Sequence, residues 1–157
     1  MQLVDSTYSL IEFADICIAV KQSEMLTIDQ ASSVELVTSS VGNMGYFIFD
    51  KKRIPTYQLS EYLTPVPLAS ELKRDDYCIG FKTSNEENYF SIICSKIDKA
   101  EISKAISKIQ QVPHFMNGEQ AVISSLCQYD DKLLLLTTAD LLHQFISHNQ
   151  TEEKLYA

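Results

Sequence analysis

The residues of this chain that could carry catalysis are three histidines and the one tight pair of acids near an apolar run. Asp130 and Asp131 lie beside an apolar run, but aspartates favour turns and stay hydrated there, so a turn explains the pair. His114, His143 and His148 have no cysteine or acid partners at the spacing of metal ligands. We expect His143 and His148 to lie near a helix C-terminus, where a partial positive charge is favourable. These residues favour neither a catalytic site nor a metal site.

The cysteines and glycines lead to the same expectation. Cys17, Cys78, Cys94 and Cys127 are far apart, form no Cys-x-x-Cys pair, and each lies in a run typical of a strand. We interpret them as buried, reduced core residues. The chain has four glycines and no glycine-rich phosphate loop or Gly-x-Ser-x-Gly motif, so no cofactor is expected. An enzyme or a small-ligand binder would need a polar pocket, which the sequence does not reveal.

Composition limits the class of protein and its partners. The chain has 157 residues, of which 45% are hydrophobic and 22% charged, which favours a single globular domain over residues 1–157. Thirteen basic residues stand against 21 acidic ones, for a formal net charge of −8. Nucleic acid is not an expected partner, because affinity for phosphates depends on lysine and arginine. The one basic triplet, Lys51-Lys52-Arg53, is interpreted as the soluble tip of a hairpin.

No segment predicts insertion into a membrane. A helix that spans a bilayer needs roughly 20 apolar residues, and the longest aliphatic run here is Leu133–Leu136. The segment Met1–Asp5 has no basic stretch leading into a long apolar one, so no signal peptide is expected. The expected location is the cytoplasm.

The stretch from Gly45 to Leu59 predicts a β-hairpin around which the chain is organised. Tyr46–Phe49 and Ile54–Leu59 are rich in aromatic and β-branched residues, which suit strands, and they flank a charged tip. Pro55 has no N–H to donate, so the second strand should begin at it or lie at a sheet edge there.

Three further hairpins, one further strand and a connector complete the β pattern. Pro65 and Pro67 exclude a helix through the connector, which spans residues 64–75. The predicted segments are Ile16–Val20 with Met25–Ile28 as the first hairpin, Val34–Val37 as the strand, Tyr77–Lys82 with Tyr89–Cys94 as the third hairpin, and Ala121–Tyr129 with Lys132–Leu136 as the fourth. The leucine run in the last strand lacks polar alternation, so both of its faces should be covered.

Two segments carry helical patterns. Apolar residues between Ile97 and Gln111 fall at helical spacing. Thr137 and Asp140 have the spacing of a capping box, and an apolar stripe follows them. This C-terminal helix should end near residues 147–149 and leave a frayed tail over residues 150–157.

Two hairpins, a proline-broken connector, two hairpins and a closing helix indicate a mainly β fold. Small hairpin units must close or pack on one another to hide their edges. Two small β-barrels or curled sheets that share one core satisfy this pattern.

The order of these pieces resembles the CheW-like domain, the adaptor module of bacterial chemosensory arrays. That family's second hairpin commonly reads Gly-x-Ile-Asn-Leu-Arg-Gly-x-x-Ile-Pro-Val-x-Asp-Leu. The positions that match here are Gly45, Phe47, Phe49, Ile54, Pro55 and Leu59. The family's last hairpin and helix resemble the segment that contains Ile123, Leu126, Tyr129, Asp130, Asp131, Leu133, Leu134, Leu136, Leu141 and Leu142. The resemblance covers roughly residues 11–146, and the order and spacing of degenerate motifs carry it.

The resemblance implies two SH3-like β-barrel subdomains that share a core, with a short C-terminal α-helix. It also implies extended structure over residues 97–111, so helix and strand both stay open for that segment. Its implied function is a non-catalytic adaptor that couples the cytoplasmic tip of a chemoreceptor to the regulatory domain of a histidine kinase. Such a protein works in a chemosensory or type IV pilus motility pathway, near the membrane through receptor arrays. The implied protein-binding residues are Val34, Leu36, Gly45, Phe47, Phe49, Asp50, Arg53, Ile54, Pro55 and Tyr57.

The chain departs from the family pattern at the hairpin tip. Asp50 stands where the family has arginine, and Lys51 stands where it has the following glycine. Exchanging arginine for an acid reverses the sign of any ion pair made there. This departure motivates an alternative function, a stand-alone scaffold or regulator that retains the fold without coupling receptor to kinase.

Overall fold

A computed structural model describes residues 6–39, 42–68, 75–85, 88–102, 108–111, 122–129 and 131–156. The strands in these ranges are β1 (Ser6–Phe13), β2 (Ile16–Lys21), β3 (Met25–Gln30), β4 (Glu35–Ser39), β5 (Gly42–Phe49), β6 (Lys52–Leu59), β7 (Pro65–Val66), β8 (Tyr77–Phe81), β9 (Phe90–Cys94), β10 (Lys96–Ile102), β11 (Lys108–Gln111), β12 (Ser125–Tyr129) and β13 (Lys132–Leu136). The helix α1 (Ala139–Tyr156) follows them. Short 3₁₀ turns over Gln22–Glu24 and Ala31–Ser33 separate β2, β3 and β4. Two residues singled out in the sequence, His114 and Asp130, lie outside the described ranges, as do residues 69–74 of the predicted connector.

The strands form two sheets with the same plan. The first sheet has the order β10-β1-β2-β13-β12-β11, and the second has the order β3-β8-β9-β6-β5-β4, with β7 paired to β6. In each sheet two antiparallel hairpins meet through a parallel pair, β2 with β13 and β6 with β9. The two end strands of each sheet follow one another along the chain, as β10 and β11 or as β3 and β4. The fold is therefore mainly β with a C-terminal helix, as predicted, while closure of each sheet into a barrel stays a prediction.

Strand alternation gives the central strands of the sheets two buried faces. Along β2, Ile18 and Val20 enter a core shared by both sheets and α1, whereas Cys17 and Ala19 enter a core that belongs to the first sheet. Successive side chains of a strand point to opposite faces, so one short strand serves both cores. The shared core also contains Ile11, Phe13, Leu59, Leu63, Ile79, Phe81, Phe90, Ile92, Cys94, Ile123, Ala139, Leu142 and Ile146.

The leucine run of β13 is covered on both faces over most of its length, as predicted. Leu134 and Leu136 lie in the core of the first sheet, and Leu135 packs against the shared core on the other side. Leu133 is the exception, because it lies next to the turn and is 59% exposed.

The predicted hairpin over Gly45–Leu59 is confirmed as β5 and β6, which pair antiparallel. Its turn is tighter than the sequence suggests, because Asp50 and Lys51 alone form it, both at positive φ (49° and 65°). Pairing of β6 with β9 begins at Thr56, so Pro55 precedes that ladder and its missing donor is tolerated. The third and fourth hairpins are also confirmed, as β8 with β9 and β12 with β13.

The predicted first hairpin is wrong. β2 and β3 lie in different sheets, and the 3₁₀ turn between them carries the chain from one sheet to the other. The reversal comes earlier, where β1 and β2 are joined by Ala14 and Asp15, both at positive φ. An Ala-Asp pair lacks the asparagine or glycine that marks such a turn in a sequence, so the pattern does not reveal this reversal.

The helical interpretation of residues 97–111 is also wrong, and the extended alternative is confirmed for Lys96–Ile102 and Lys108–Gln111. β10 pairs with β1 over its whole length, from Glu12 opposite Lys96 to Ser6 opposite Ile102. This tertiary pairing overrides the helical spacing of the isoleucines. Residues 103–107 lie outside the described part of the chain.

The C-terminal helix begins where predicted but is longer. Its N-cap is Thr138, whose Oγ1 accepts a hydrogen bond from the Leu141 N–H at 3.1 Å, rather than Thr137. α1 continues to Tyr156, past the predicted end near residues 147–149, because no proline or glycine interrupts it and most residues over 150–155 are good helix formers. His143 therefore lies in the N-terminal half of the helix and His148 just past its middle, so the predicted place of both near the C-terminus is wrong.

Candidate interaction surface

Burial divides the predicted binding residues into two groups. Val34, Gly45, Phe47 and Ile54 are buried, and the three large side chains among them belong to the core of the second sheet. A side chain enclosed in a core offers no surface to a partner, so these four act through packing in the folded state. The remaining residues keep accessible surface: Leu36, Phe49, Pro55 and Tyr57 are half-buried, and Asp50 and Arg53 are exposed.

The register of β5 explains this division. Gly45 and Phe47 point inward, and their partners across the strand pair, Thr56 and Ile54, point inward with them. A Cβ at Gly45 would lie 2.8 Å from Leu68 Cδ2 and 2.9 Å from Val34 Cγ1, so only glycine fits this inner position without displacing its neighbours.

The opposite faces of β4, β5 and β6 form a surface that the sequence does not single out. Val37, Met44 and Ile48 are 41%, 40% and 47% exposed, and Tyr46 lies between the last two on β5. Val37 lies directly opposite Met44, and Tyr46 lies opposite both Glu35 and Pro55. We call the outward side chains of these three strands the outer face; they are Glu35, Val37, Met44, Tyr46, Ile48, Arg53 and Pro55. In the sequence, the outer face is indicated only by Met44, Tyr46 and Ile48, which alternate with Gly45, Phe47 and Phe49 along β5.

Cations border the outer face at the hairpin tip. The Arg53 guanidinium carbon lies 4.2 Å from the centroid of the Tyr46 ring, a cation–π contact that holds the side chain over the face. Lys51 is exposed in the adjoining turn. Lys52 lies on the opposite face of β6, where its Nζ is 5.8 Å from the centroid of the Tyr89 ring. The tip is locally basic on a chain of net charge −8.

The N-terminus of α1 connects the two sheets. Glu24, in the 3₁₀ turn between β2 and β3, accepts a hydrogen bond from the Ala139 N–H at 2.7 Å. The backbone carbonyl of Glu24 accepts a hydrogen bond from the Lys82 N–H at 3.0 Å, and the Asp140 carboxylate accepts one from the Ser84 N–H at 2.8 Å. The crossing between the sheets, the start of the helix and the end of β8 are thus fixed to one another.

The titratable groups of the interior pack against apolar neighbours. All four cysteines are free and buried, as predicted, and burial raises the pKa of Cys17 to about 11 and the pKa of Cys94 to about 12. The thiols of Cys17 and Cys94 therefore stay protonated at neutral pH, which makes them poor nucleophiles and poor metal ligands. Burial lowers the pKa of His143, whose ring centroid lies 5.7 Å from that of Phe90. Within the described ranges, no three His, Cys, Asp or Glu side chains are grouped to hold a metal ion.

Comparison with known proteins informs the fold. No protein-family model matches the chain, and no curated protein sequence matches it significantly. Among solved structures, the scaffolding protein TtCheW from Thermoanaerobacter tengcongensis is similar at 13% sequence identity and a TM-score of 0.66. The match covers 88% of this chain and 92% of TtCheW. The two-sheet architecture is thus a CheW-like fold. In the part of the chain that the structure describes, no helix is long and apolar enough to cross a membrane.

Proposed function

We propose that the chain is a non-catalytic signalling adaptor that couples a chemoreceptor to a histidine kinase, in a chemosensory or type IV pilus motility pathway. The observation that carries the proposal is the similarity to TtCheW, a scaffolding protein, over 88% of the chain. The partners are the cytoplasmic tip of the receptor and the regulatory domain of the kinase. The adaptor works in the cytoplasm beside the membrane and requires no cofactor.

The contact residues are the predicted ones that remain accessible. Leu36 and Phe49 supply partly exposed apolar surface on the side of the second core, and Pro55 and Tyr57 supply it on the opposite side of the sheet. Asp50 and Arg53 supply opposite charges near the hairpin tip. Residues of these types orient a partner because charges set register and apolar contacts supply affinity.

An adaptor of this kind acts by geometry alone. By holding two partners at a fixed distance and orientation, it lets a conformational change in one bias the equilibrium of the other. The hydrogen bonds of Glu24 and Asp140 fix the crossing between the sheets to α1. This rigidity suits the role, because a rigid adaptor passes most of the conformational change of one partner on to the other.

Calorimetric titration with the regulatory domain of a histidine kinase from the same genome tests the proposal. We expect a Kd of about 1 µM or tighter, which corresponds to about −8 kcal/mol. The variant Arg53→Glu should weaken binding about tenfold without unfolding the protein, because Arg53 is exposed. Lys99→Glu, a charge reversal on β10 of the first sheet at another exposed position, is the matched control and should bind like the wild type.

Absence of binding to any such domain would overturn the coupling role. It would favour the stand-alone scaffold, which the acid at Asp50 independently motivates, because this residue reverses the charge found in the resembled family.

A further inference from the structure

We infer that a cavity beside the crossing between the two sheets binds a small phosphate-bearing ligand, which stiffens this crossing. The cavity has a volume of about 350 Å³. The described residues that line it are Thr7 of β1, Lys21 at the end of β2, and Gln22 and Ser23 of the 3₁₀ turn that follows. The inference goes beyond the proposed function and does not depend on it, because none of these residues belongs to the predicted protein-binding set.

The lining side chains offer hydrogen-bond donors. Thr7 and Ser23 carry hydroxyls, Gln22 carries an amide and Lys21 carries an ammonium group. None of the four forms a side-chain hydrogen bond or an ion pair with the part of the chain that the structure describes. Gln22 is half-buried, so water reaches its amide only in part, and a ligand in the cavity would supply a partner.

Lys21 sets the sign of the ligand, because it is the one charged residue among the described residues of the lining. Lys132, by contrast, is paired with Glu12 at 3.2 Å. The acid nearest to Lys21 in sequence is Glu24, whose carboxylate accepts the hydrogen bond of the Ala139 N–H at 2.7 Å, so the helix N-terminus compensates its charge. The cavity therefore favours an anion, although the whole chain has a net charge of −8.

The donor set suits a phosphate group better than a carboxylate. A phosphate presents three terminal oxygens, so an ammonium, two hydroxyls and an amide can each reach an acceptor. Lysine binds phosphate as a point charge, whereas a planar carboxylate is matched best by the fork of an arginine. A volume of about 350 Å³ lies at the lower end of the range for ligand sites, which indicates a small organic phosphate.

The 3₁₀ turn joins the cavity to the crossing. Gln22 and Ser23 belong to the same turn as Glu24, whose carboxylate binds the Ala139 N–H and whose carbonyl accepts the Lys82 N–H at 3.0 Å. A ligand that holds this turn disfavours every opening that moves it away from α1 and from the end of β8. Such an opening is suppressed by the factor 1 + [L]/Kd, about tenfold at a ligand concentration ten times the Kd.

Amide chemical-shift titration of the labelled protein with glycerol 3-phosphate, at constant ionic strength, tests the site. We expect saturable shifts at Thr7, Gln22 and Ser23, with a Kd of about 1 mM or tighter. Lys21→Gln should raise the Kd at least about tenfold, because it removes the charged hydrogen-bond donor. The matched control is Lys51→Gln, the same loss of charge at an exposed turn of the second sheet, which should bind like the wild type. Both lysines are exposed, so both variants should retain the wild-type circular dichroism spectrum.

Further probes separate the phosphate group from the rest of the ligand. Inorganic phosphate should shift the same amides with weaker affinity, whereas glycerol and succinate should leave them unchanged. Equal shifts with succinate would contradict the preference for phosphate. Shifts that do not saturate, or that Lys21→Gln leaves unchanged, would show an adventitious ion only and overturn the inference.

Hydrogen exchange tests the effect on the crossing. At a glycerol 3-phosphate concentration ten times the wild-type Kd, the amides of Ala139 and Lys82 should exchange about tenfold more slowly in the wild type and about twofold more slowly or less in Lys21→Gln. Saturable binding with unchanged exchange would overturn the stiffening of the crossing. Neither result bears on the coupling role, which the titration with the kinase regulatory domain tests.

Discussion

The hairpin of β1 and β2 has the same place in the first sheet as the hairpin of β5 and β6 has in the second. Each turns through two residues at positive φ, Ala14-Asp15 at 49° and 64° and Asp50-Lys51 at 49° and 65°. Each then pairs its second strand in parallel with the other hairpin of its sheet. The two halves therefore share a backbone plan, and their differences lie in the side chains.

The cores differ in their composition. The core of the first sheet is aliphatic and small in the middle, with Cys17, Ala19 and Cys127 at its buried positions. The core of the second sheet contains Phe47, a bulkier side chain than any buried in the first core, and Phe49 and Tyr89 pack at its edge, where the first core has Tyr8 and Tyr129. It also encloses a polar pair, because Thr56 Oγ1 and Ser91 Oγ lie 2.5 Å apart and both residues are buried.

The surfaces differ more strongly. The first sheet carries an ionic cluster in which Glu12 Oε2 lies 3.2 Å from Lys132 Nζ and 3.8 Å from Lys96 Nζ. Its carboxylate is satisfied by cations of its own chain. The second sheet instead exposes apolar side chains with cations at their border. One backbone plan thus carries a cluster of ion pairs on one sheet and exposed apolar side chains on the other.

The largest expected effect comes from placing an acid on the inner face of the second sheet, and the same change on the outer face serves as the comparison. Ile54→Asp should unfold the domain, with a loss of more than about 4 kcal/mol, because Ile54 is 2% exposed and a carboxylate there would have no water. Ile48→Asp, on the adjacent strand but outward, should remain folded. Urea unfolding followed by circular dichroism measures both variants, and equal losses would mean that the two faces of β5 and β6 have been assigned incorrectly.

The polar pair of the second core should give an intermediate effect. Thr56→Val or Ser91→Ala alone should cost about 1–3 kcal/mol of unfolding free energy, because each leaves a buried hydroxyl without this partner. The double variant should cost less than the sum of the two, which a double-mutant cycle detects. Additive losses would show that the two hydroxyls act independently, and Ser33→Ala on the surface is the control.

The equivalent turns should respond alike to glycine. Lys51→Gly and Asp15→Gly should each raise the unfolding free energy by about 1 kcal/mol, since both residues hold a positive φ that glycine adopts without steric cost. Thr27→Gly, within strand β3, is the opposite control and should destabilise the protein, because glycine loses more backbone freedom in a strand. Urea unfolding measures all three variants, and a loss of stability in either turn variant would contradict the shared turn geometry.

Much of the fold follows from local patterns. The alternation and turn chemistry of the Gly45–Leu59 stretch predict β5 and β6 because both strands and their turn are adjacent in sequence. The resembled family's glycine at the position of Lys51 agrees with the positive φ observed there. Non-local pairing cannot be predicted in this way. β10 is extended because β1, from a distant part of the chain, lies beside it, and no spacing within Ile97–Gln111 records that neighbour.

The candidate site is predictable only in part for the same reason. Phe47, Ile54 and Val34 are of the apolar types that suit a binding surface, but residue type does not tell which face of a sheet is covered. The exposure of Ile48 and Met44 depends on which side of β5 meets the second core. That core is completed from distant parts of the chain, by Leu68, Cys78 and Ile93.

The smallest expected effect comes from the ionic cluster of the first sheet. Glu12→Gln should lower the Tm by about 2 °C or less, since the two ion pairs that Glu12 makes are only partly buried and solvent screens them. Calorimetry in low and in high salt checks this, and the difference between wild type and variant should vanish at high salt. A large, salt-independent loss would mean that the first sheet depends on this cluster for folding.

We propose that the second sheet, and not the first, receives the signalling partners. Amide chemical-shift mapping during titration of the labelled protein with the kinase regulatory domain tests this proposal. We expect the shifts to be concentrated at Asp50, Lys51 and Arg53, with Ala14 and Asp15 in the equivalent turn unchanged. Shifts concentrated at the Ala14-Asp15 turn or along β10, with none at the β5–β6 turn, would contradict it.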